Sequence, residues 1–149
     1  MTLSVSFHYD RDVGFRSDSS DMETVYLRDP IINNQKIYSP TETMLFAMSG
    51  CSSYDVLLII SRMRKEIKNY GMEVEAERET EEPKVLKSAH FIYTIDADIT
   101  EEQALRAINL SLEKYCSVTI LARRGGVDVT YSLVLNGKKV CEKQEPKLD

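Results

Sequence analysis

Residues 39–51 read SPTETMLFAMSGC, and this segment predicts the start of the longest helix in the chain. Ser39 can cap free backbone amides, Pro40 suits the first helical position, and Glu42 completes a capping box with Ser39. Apolar residues then recur at spacings of three and four, which is typical of a helix largely enclosed by other structure. They are Met44, Met48, Val56, Ile59, Ile60, Met63 and Ile67. The pattern predicts a long helix that continues to Gly71.

Gly50, Cys51, Ser52 and Ser53 form the weakest stretch of this predicted helix. Small side chains there allow a bend or the close approach of a second backbone. One continuous helix and two helices that meet at Cys51 are both open alternatives, and a break would leave free amides beside the sulfur.

Short strands are predicted on both sides of the long helix, from alternating apolar and polar residues separated by turn residues. Their positions are residues 3–9, 25–27, around 37, 72–79, 85–97, 127–135 and 138–141. The polar segment 16–21 is predicted as a hairpin turn, and Asn33-Asn34 also favours a turn. Asn136-Gly137 between the last two strands is the clearest hairpin signal in the chain.

A second helix is predicted from another capping box, which Thr100 and Gln103 form. Its apolar residues indicate an amphipathic helix that ends at about Tyr115. Cys116 therefore falls at or just past the helix end, and Gly125-Gly126 predicts a stop further on.

The order of elements is typical of an α+β fold with mainly antiparallel strands. A chain of 149 residues fits a single domain, residues 1–149. One curved sheet covers a strongly apolar helix on one side only, so we expect a homodimer that sandwiches the helices.

The net charge and the cysteine content limit which kinds of partner and which cellular compartment are expected. A formal net charge of −5 and a pI of about 5.1 argue against binding to nucleic acid or anionic lipid, and favour small molecules or proteins. The first ten residues lack the pattern of a signal peptide, and the longest aliphatic run is 56–60, so no membrane span is expected. Three cysteines without a C-x-x-C motif then indicate a reducing cytoplasm, where a disulfide is transient and functional.

Cys51 and Cys116 are the most chemically capable residues, since both end apolar helical segments. Inert packing is the alternative, because buried cysteines are commonly small core residues. Cys141 on the final hairpin is expected to be a bystander. His8 and His90 lie on separate strands without clustered cysteines, so no metal site is expected, and no cofactor.

The segment SPTETMLFAMSGC, followed 65 positions after Cys51 by a second cysteine in SLEKYCSV, resembles the OsmC/Ohr family. The run EKYCS resembles in particular a divergent, small OsmC-like branch. The family comprises osmotically inducible and organic hydroperoxide resistance proteins, and the resemblance covers the chain from about Ser39 onward. It implies an OsmC-like α+β fold in which a mainly antiparallel sheet packs on a long central helix and a second helix. It also implies an intertwined homodimer with two sites at the subunit interface.

The same resemblance implies residue roles. Cys51 matches the cysteine that attacks the peroxide, Cys116 matches the resolving cysteine, and Glu42 lies near the position of the active-site carboxylate. On a straight helix Glu42 is about 13 Å from Cys51 along the axis, so it either reaches the partner subunit's site, holds an arginine or only closes the capping box. Asp55, one turn after Cys51, shares its helix face and is a supporting candidate. The family's thiolate-stabilising arginine has three candidates here, which are Arg11, Arg16 and Arg28.

The leading functional hypothesis is a cytoplasmic, cofactor-free, thiol-dependent hydroperoxide reductase that a dithiol or a lipoylated protein regenerates. Met44, Met48 and Met63 are candidates to line an apolar pocket suited to organic hydroperoxides, with core filling as the alternative. The rival hypothesis is a non-catalytic small-molecule binding protein that uses the interfacial cavity of the same scaffold. A third is a stress-linked dimer whose cysteines simply pack.

Overall fold

Two sheets, three α-helices and one π-helical turn make up the computed structural model, which describes residues 1–32 and 34–148. The elements are β1 (Phe7–Asp10), β2 (Gly14–Ser17), β3 (Tyr26–Leu27), α1 (Pro40–Arg62), β4 (Ile67–Arg78), β5 (Leu86–Ala97), α2 (Glu101–Leu110), the π turn (Ser111–Tyr115), α3 (Ser117–Arg124), β6 (Asp128–Leu135) and β7 (Lys138–Gln144). They fall into two compact units, Met1–Phe46 and Ala47–Asp149. The predicted α+β class is confirmed.

The first unit contains a small antiparallel sheet in the order β1-β2-β3. Its hairpin turn lies at 11–13, because the Asp10 carboxylate accepts the amides of Asp12 at 2.8 Å and Val13 at 3.3 Å. Gly14 follows with φ +88°, and a Cβ there would lie 3.1 Å from the Leu27 carbonyl oxygen. Only a glycine fits this turn without strain.

Sequence patterns placed parts of this unit wrongly. The turn predicted at 16–21 lies earlier, since Asp10 supplies the turn-forming carboxylate. The strand predicted at 3–9 is reduced to β1, and its residues are exposed rather than half-buried. The strand predicted at 25–27 is present as β3, whereas no strand forms at the described residues around Ile37 and β2 was not predicted. Asn33 of the predicted turn lies outside the described residues.

Helix α1 begins as the sequence predicts. Glu42 Oε1 accepts the Ser39 amide and Ser39 Oγ accepts the Glu42 amide, both at 3.1 Å, which completes the capping box. The helix is continuous through Gly50 and Cys51, so the alternative of two helices that meet at Cys51 is wrong. It ends at Arg62 rather than near Gly71, because Arg64 adopts a left-handed conformation (φ 59°) and residues from Ile67 onward form β4.

Within the described chain, α1 is also the one helix that is long and apolar enough to cross a membrane. That criterion uses length and composition alone, and the core helix of a soluble protein passes it equally well.

The second unit is built on a four-stranded sheet in the order β4-β5-β6-β7. β5 and β6 are parallel, while the other two pairs are antiparallel. Alternate residues of β5 and β6 are buried, and among them Tyr93 and Tyr131 bond to side chains of α1 and α2. This face of the sheet and the inward side chains of the helices form the core.

The segment after α2 differs from the prediction of a single helix that ends near Tyr115. The predicted capping box of Thr100 and Gln103 is present, but the chain continues from α2 into the π turn, where the Cys116 amide bonds to the Ser111 carbonyl at 2.8 Å. Cys116 leaves the helical region (ψ 90°), and α3 begins at Ser117, where no sequence pattern predicted a helix.

Candidate cysteine site

Cys51 and Cys116 lie side by side in the second unit. Cys51 is on α1 and Cys116 directly follows the π turn, and their sulfur atoms lie within 4.8 Å of each other. Both are free thiols. Cys51 is partly exposed, whereas Cys116 is fully buried. A disulfide would require the two sulfurs to approach to about 2.05 Å.

The buried sulfur has two oxygen neighbours. Cys116 Sγ lies 3.1 Å from Thr119 Oγ1 and 3.7 Å from the Met48 carbonyl oxygen, and Thr119 Oγ1 itself donates to that carbonyl at 3.2 Å. Burial raises the pKa of Cys116 to about 11, with the neighbouring Cys51 contributing to the increase. The reduced protein therefore holds Cys116 as a neutral thiol at neutral pH.

The carboxylate of Asp55 is the third member of this cluster. One carboxylate oxygen lies within 4.8 Å of both sulfurs. Burial raises the pKa of Asp55, and a hydrogen bond from Ser111 Oγ at 3.0 Å opposes that shift. In the part of the chain that the structure describes, Asp55 forms no ion pair.

A chain of hydroxyl groups leads from the core to this carboxylate. Tyr93 Oη lies 2.5 Å from Ser52 Oγ, and Ser52 Oγ lies 2.9 Å from Ser111 Oγ. Ser111 is fully buried and can donate its single proton to Asp55 Oδ2. Sequence reasoning missed Ser52, Tyr93, Ser111 and Thr119, because only the π turn and the packing of α1 bring them to the cysteines.

Glu42 lies in the first unit, where it has two partners. It closes the capping box described above, and its Oε1 forms an ion pair with Arg28 Nη2 at 3.2 Å. Arg28 is further held by a bond from its Nε to the Ile37 carbonyl at 2.9 Å. The pKa of Glu42 is lowered chiefly by its hydrogen bonds with Ser39, and further by the charge of Arg28. Of the three candidate arginines, Arg28 is thus the one that pairs with Glu42.

Other candidates lie apart from the cysteine cluster. Cys141 is on β7 opposite Leu133, His90 bonds to Thr130 and Ser132 on β6, and His8 pairs with Asp18. Among the residues that the structure describes, one group of three sulfur, carboxylate or imidazole ligands converges, and it contains none of these.

Comparison with known proteins assigns the family. The family model described as OsmC-like protein matches residues 33–132. The chain belongs to the OsmC-like protein family. The resemblance noted in the sequence is thereby confirmed.

Individual relatives agree with this assignment. The chain is similar to Protein YhfA of Escherichia coli strain K12, with 34% identity over 102 residues that span 67% of this chain and 75% of YhfA. The fold matches the OsmC-like protein from Mycoplasma pneumoniae at a TM-score of 0.76 and 14% identity, covering 91% of this chain and 97% of that one. It also matches the organic hydroperoxide resistance protein OhrB of Bacillus subtilis at a TM-score of 0.58 and 19% identity, covering 90% and 98%. At these identities the two structures establish the OsmC-like fold.

Proposed function

We propose that this OsmC-like chain is a thiol-dependent reductase of organic hydroperoxides, in which Cys51 attacks the peroxide and Cys116 resolves the product. The observation that carries the proposal is the pair of free thiols within 4.8 Å, one partly exposed and one fully buried. A peroxide from solvent reaches the partly exposed Cys51 more readily than the buried Cys116, which supports the attacking role of Cys51.

The proposed reaction has two steps. The Cys51 thiolate attacks the O–O bond, the distal oxygen becomes a sulfenic acid on Cys51, and the remaining fragment leaves as an alcohol after taking up a proton. The Cys116 sulfur then attacks the sulfenic sulfur, which forms the disulfide and releases water. An external dithiol reduces the disulfide by thiol exchange, and a small dithiol or a lipoylated protein has the right chemistry.

Organic hydroperoxides are the proposed substrates because the matched structure from Bacillus subtilis is named for resistance to them. Met48 is fully buried and acts as core filling, whereas Met44 and Met63 keep some exposure. Only the latter two remain candidates to contact an alkyl group.

Glu42 is proposed to act through Arg28. The ion pair at 3.2 Å fixes the guanidinium, and an arginine held in this way can stabilise a thiolate or a developing negative charge. The wider proposal includes a homodimer as the working form, as the family resemblance implies, and a cytoplasmic location, as the cysteine usage indicates.

The test is steady-state reduction of cumene hydroperoxide with dithiothreitol as the dithiol. We expect Cys51→Ser to abolish turnover, Cys116→Ser to become sensitive to overoxidation at Cys51, and Cys141→Ser to behave like the wild type. Turnover that survives in Cys51→Ser would show that the mechanism is wrong. A silent wild type would favour the non-catalytic binding protein instead.

A further inference from the structure

The cysteine cluster has the composition of a metal site as well as of a redox pair. Two cysteine sulfurs and one carboxylate oxygen, from Cys51, Cys116 and Asp55, lie within 4.8 Å of one another. With Zn–S bonds of about 2.3 Å, a tetrahedral zinc site places its two sulfurs about 3.8 Å apart. Side-chain movements of about 1 Å would therefore bring the three donors to binding distance.

The surroundings of the three donors suit ligands. Ser111 Oγ bonds to Asp55 Oδ2 at 3.0 Å, which orients the carboxylate and leaves its other oxygen available. Thr119 Oγ1 at 3.1 Å fixes the position of the Cys116 sulfur. Because Cys51 is partly exposed, an ion from solvent has an entry path to the cluster.

Charge balance also favours a cation. Once their protons are displaced, the two thiolates and the carboxylate offer three negative charges to a cation, and Asp55 has no ion-pair partner within residues 1–32 and 34–148. Sulfur ligands select soft or borderline ions such as Zn²⁺ over Mg²⁺ or Ca²⁺.

We propose that the reduced protein binds one thiophilic divalent cation of the Zn²⁺ class through Cys51, Cys116 and Asp55. Binding releases the two thiol protons, and the fourth coordination position stays open to water. From the sequence no metal site was expected, and that expectation was based on His8 and His90. Neither histidine belongs to this cluster.

Metal binding and disulfide formation exclude each other, because both consume the same two thiolates. One hydroperoxide and two protons convert the metal-bound dithiolate into disulfide, alcohol, water and the free cation. The ion thus protects the thiols until oxidation expels it. This regulatory part rests on the proposed peroxidase function, whereas the binding itself does not.

The test is titration of the reduced full-length chain with Co²⁺ under anaerobic conditions, after removal of metal with a chelator. Thiolate-to-cobalt charge-transfer absorption should appear and saturate at one ion per chain, and Zn²⁺ should displace it. We expect Cys51→Ser to abolish this absorption and Asp55→Asn to weaken binding at least about 10-fold. Cys141→Ser is the matched control and should bind like the wild type, and far-UV circular dichroism reports folding of each variant.

Absence of charge-transfer absorption in the folded wild type would overturn the inference, as would binding that Asp55→Asn leaves unchanged. A separate arm measures disulfide formation by cumene hydroperoxide with and without one equivalent of Zn²⁺. Oxidation that proceeds without metal but is not slowed by Zn²⁺ would overturn the protective role alone. Cobalt binding by a protein that never forms the disulfide would refute the proposed peroxidase and leave the metal site standing.

Discussion

At the scale of single residues, the site depends on contacts between side chains that are distant in sequence. The 65 positions between Cys51 and Cys116 give no information about their separation. The sequence did predict both cysteines and Asp55 as candidates, because each has a recognisable neighbourhood. Ser111 carries no such signal, since its approach to Asp55 requires the π turn that the i to i+5 bond to Cys116 forms.

The buried hydroxyl of Ser111 should stabilise the fold measurably. We expect Ser111→Ala to lower the free energy of unfolding by about 1–3 kcal/mol, because the variant leaves the Asp55 carboxylate and Ser52 without their shared partner. Urea unfolding measures the loss. Ser61→Ala on the exposed side of α1 is the control and should change stability by no more than about 0.5 kcal/mol. Equal effects of the two variants would contradict the network.

Tyr70 provides a second residue-scale prediction, through pH. Burial raises the pKa of Tyr70 to about 12, and its hydroxyl donates to Ser53 Oγ at 2.8 Å. The unfolded chain ionises this tyrosine near pH 10. The stabilisation is therefore complete below pH 10 and is lost as the pH rises from about 10 to 12.

The measurement is urea unfolding of wild type and Tyr70→Phe between pH 8 and pH 11. We expect the wild type to lose stability more steeply than Tyr70→Phe above pH 10, because the variant lacks the group that ionises on unfolding. Tyr115→Phe, in which the altered ring is exposed, should follow the wild-type curve. Identical slopes for wild type and Tyr70→Phe would show that the buried hydroxyl does not oppose ionisation.

At the scale of elements, caps and turns with local chemistry were predictable. The capping boxes at Ser39 and Thr100 and the Asn136-Gly137 hairpin are confirmed, since their hydrogen bonds join residues close in sequence. The end of α1 was not predictable, because Met63 and Ile67 continue the helical spacing while the backbone becomes left-handed at Arg64. Helix α3 was missed because Cys116 separates it from the π turn without a capping residue.

Two glycines in the first fifty residues should respond to alanine in opposite directions. Gly14→Ala should destabilise by about 1–3 kcal/mol, since φ is +88° and the new Cβ would lie 3.1 Å from the Leu27 carbonyl oxygen. Gly50→Ala should stabilise by about 0.5–1 kcal/mol, because it lies inside α1 and the new methyl group would meet no atom within 4 Å beyond its chain neighbours and the backbone of its own helix. Thermal unfolding distinguishes the signs, and destabilisation by Gly50→Ala would indicate a bend or close neighbour there.

At the scale of the whole molecule, the family assignment and the α+β fold were predictable from one segment and the order of elements. The homodimer remains a prediction. Helix α1 supports it, because Tyr54 is 71% exposed and Leu58 is 39% exposed in the single chain. A run of exposed apolar side chains on one helix favours burial against a partner.

Sedimentation equilibrium tests the dimer directly. We expect a particle of twice the 17.0 kDa chain mass, and a shift toward monomer in Tyr54→Glu, because a buried unpaired carboxylate is costly at an interface. Tyr54→Phe keeps the apolar ring and should remain dimeric. A wild type that sediments as a monomer at micromolar concentration would contradict the prediction.

The proposed function depends on Cys51 and Cys116 forming one redox pair. The most direct measurement is intact mass with disulfide mapping after one equivalent of cumene hydroperoxide, for wild type, Cys51→Ser and Cys141→Ser. We expect a loss of about 2 mass units, one Cys51–Cys116 disulfide in the wild type and in Cys141→Ser, and no disulfide in Cys51→Ser. An unchanged wild-type mass, or a disulfide that involves Cys141, would show that Cys51 and Cys116 are not a redox pair.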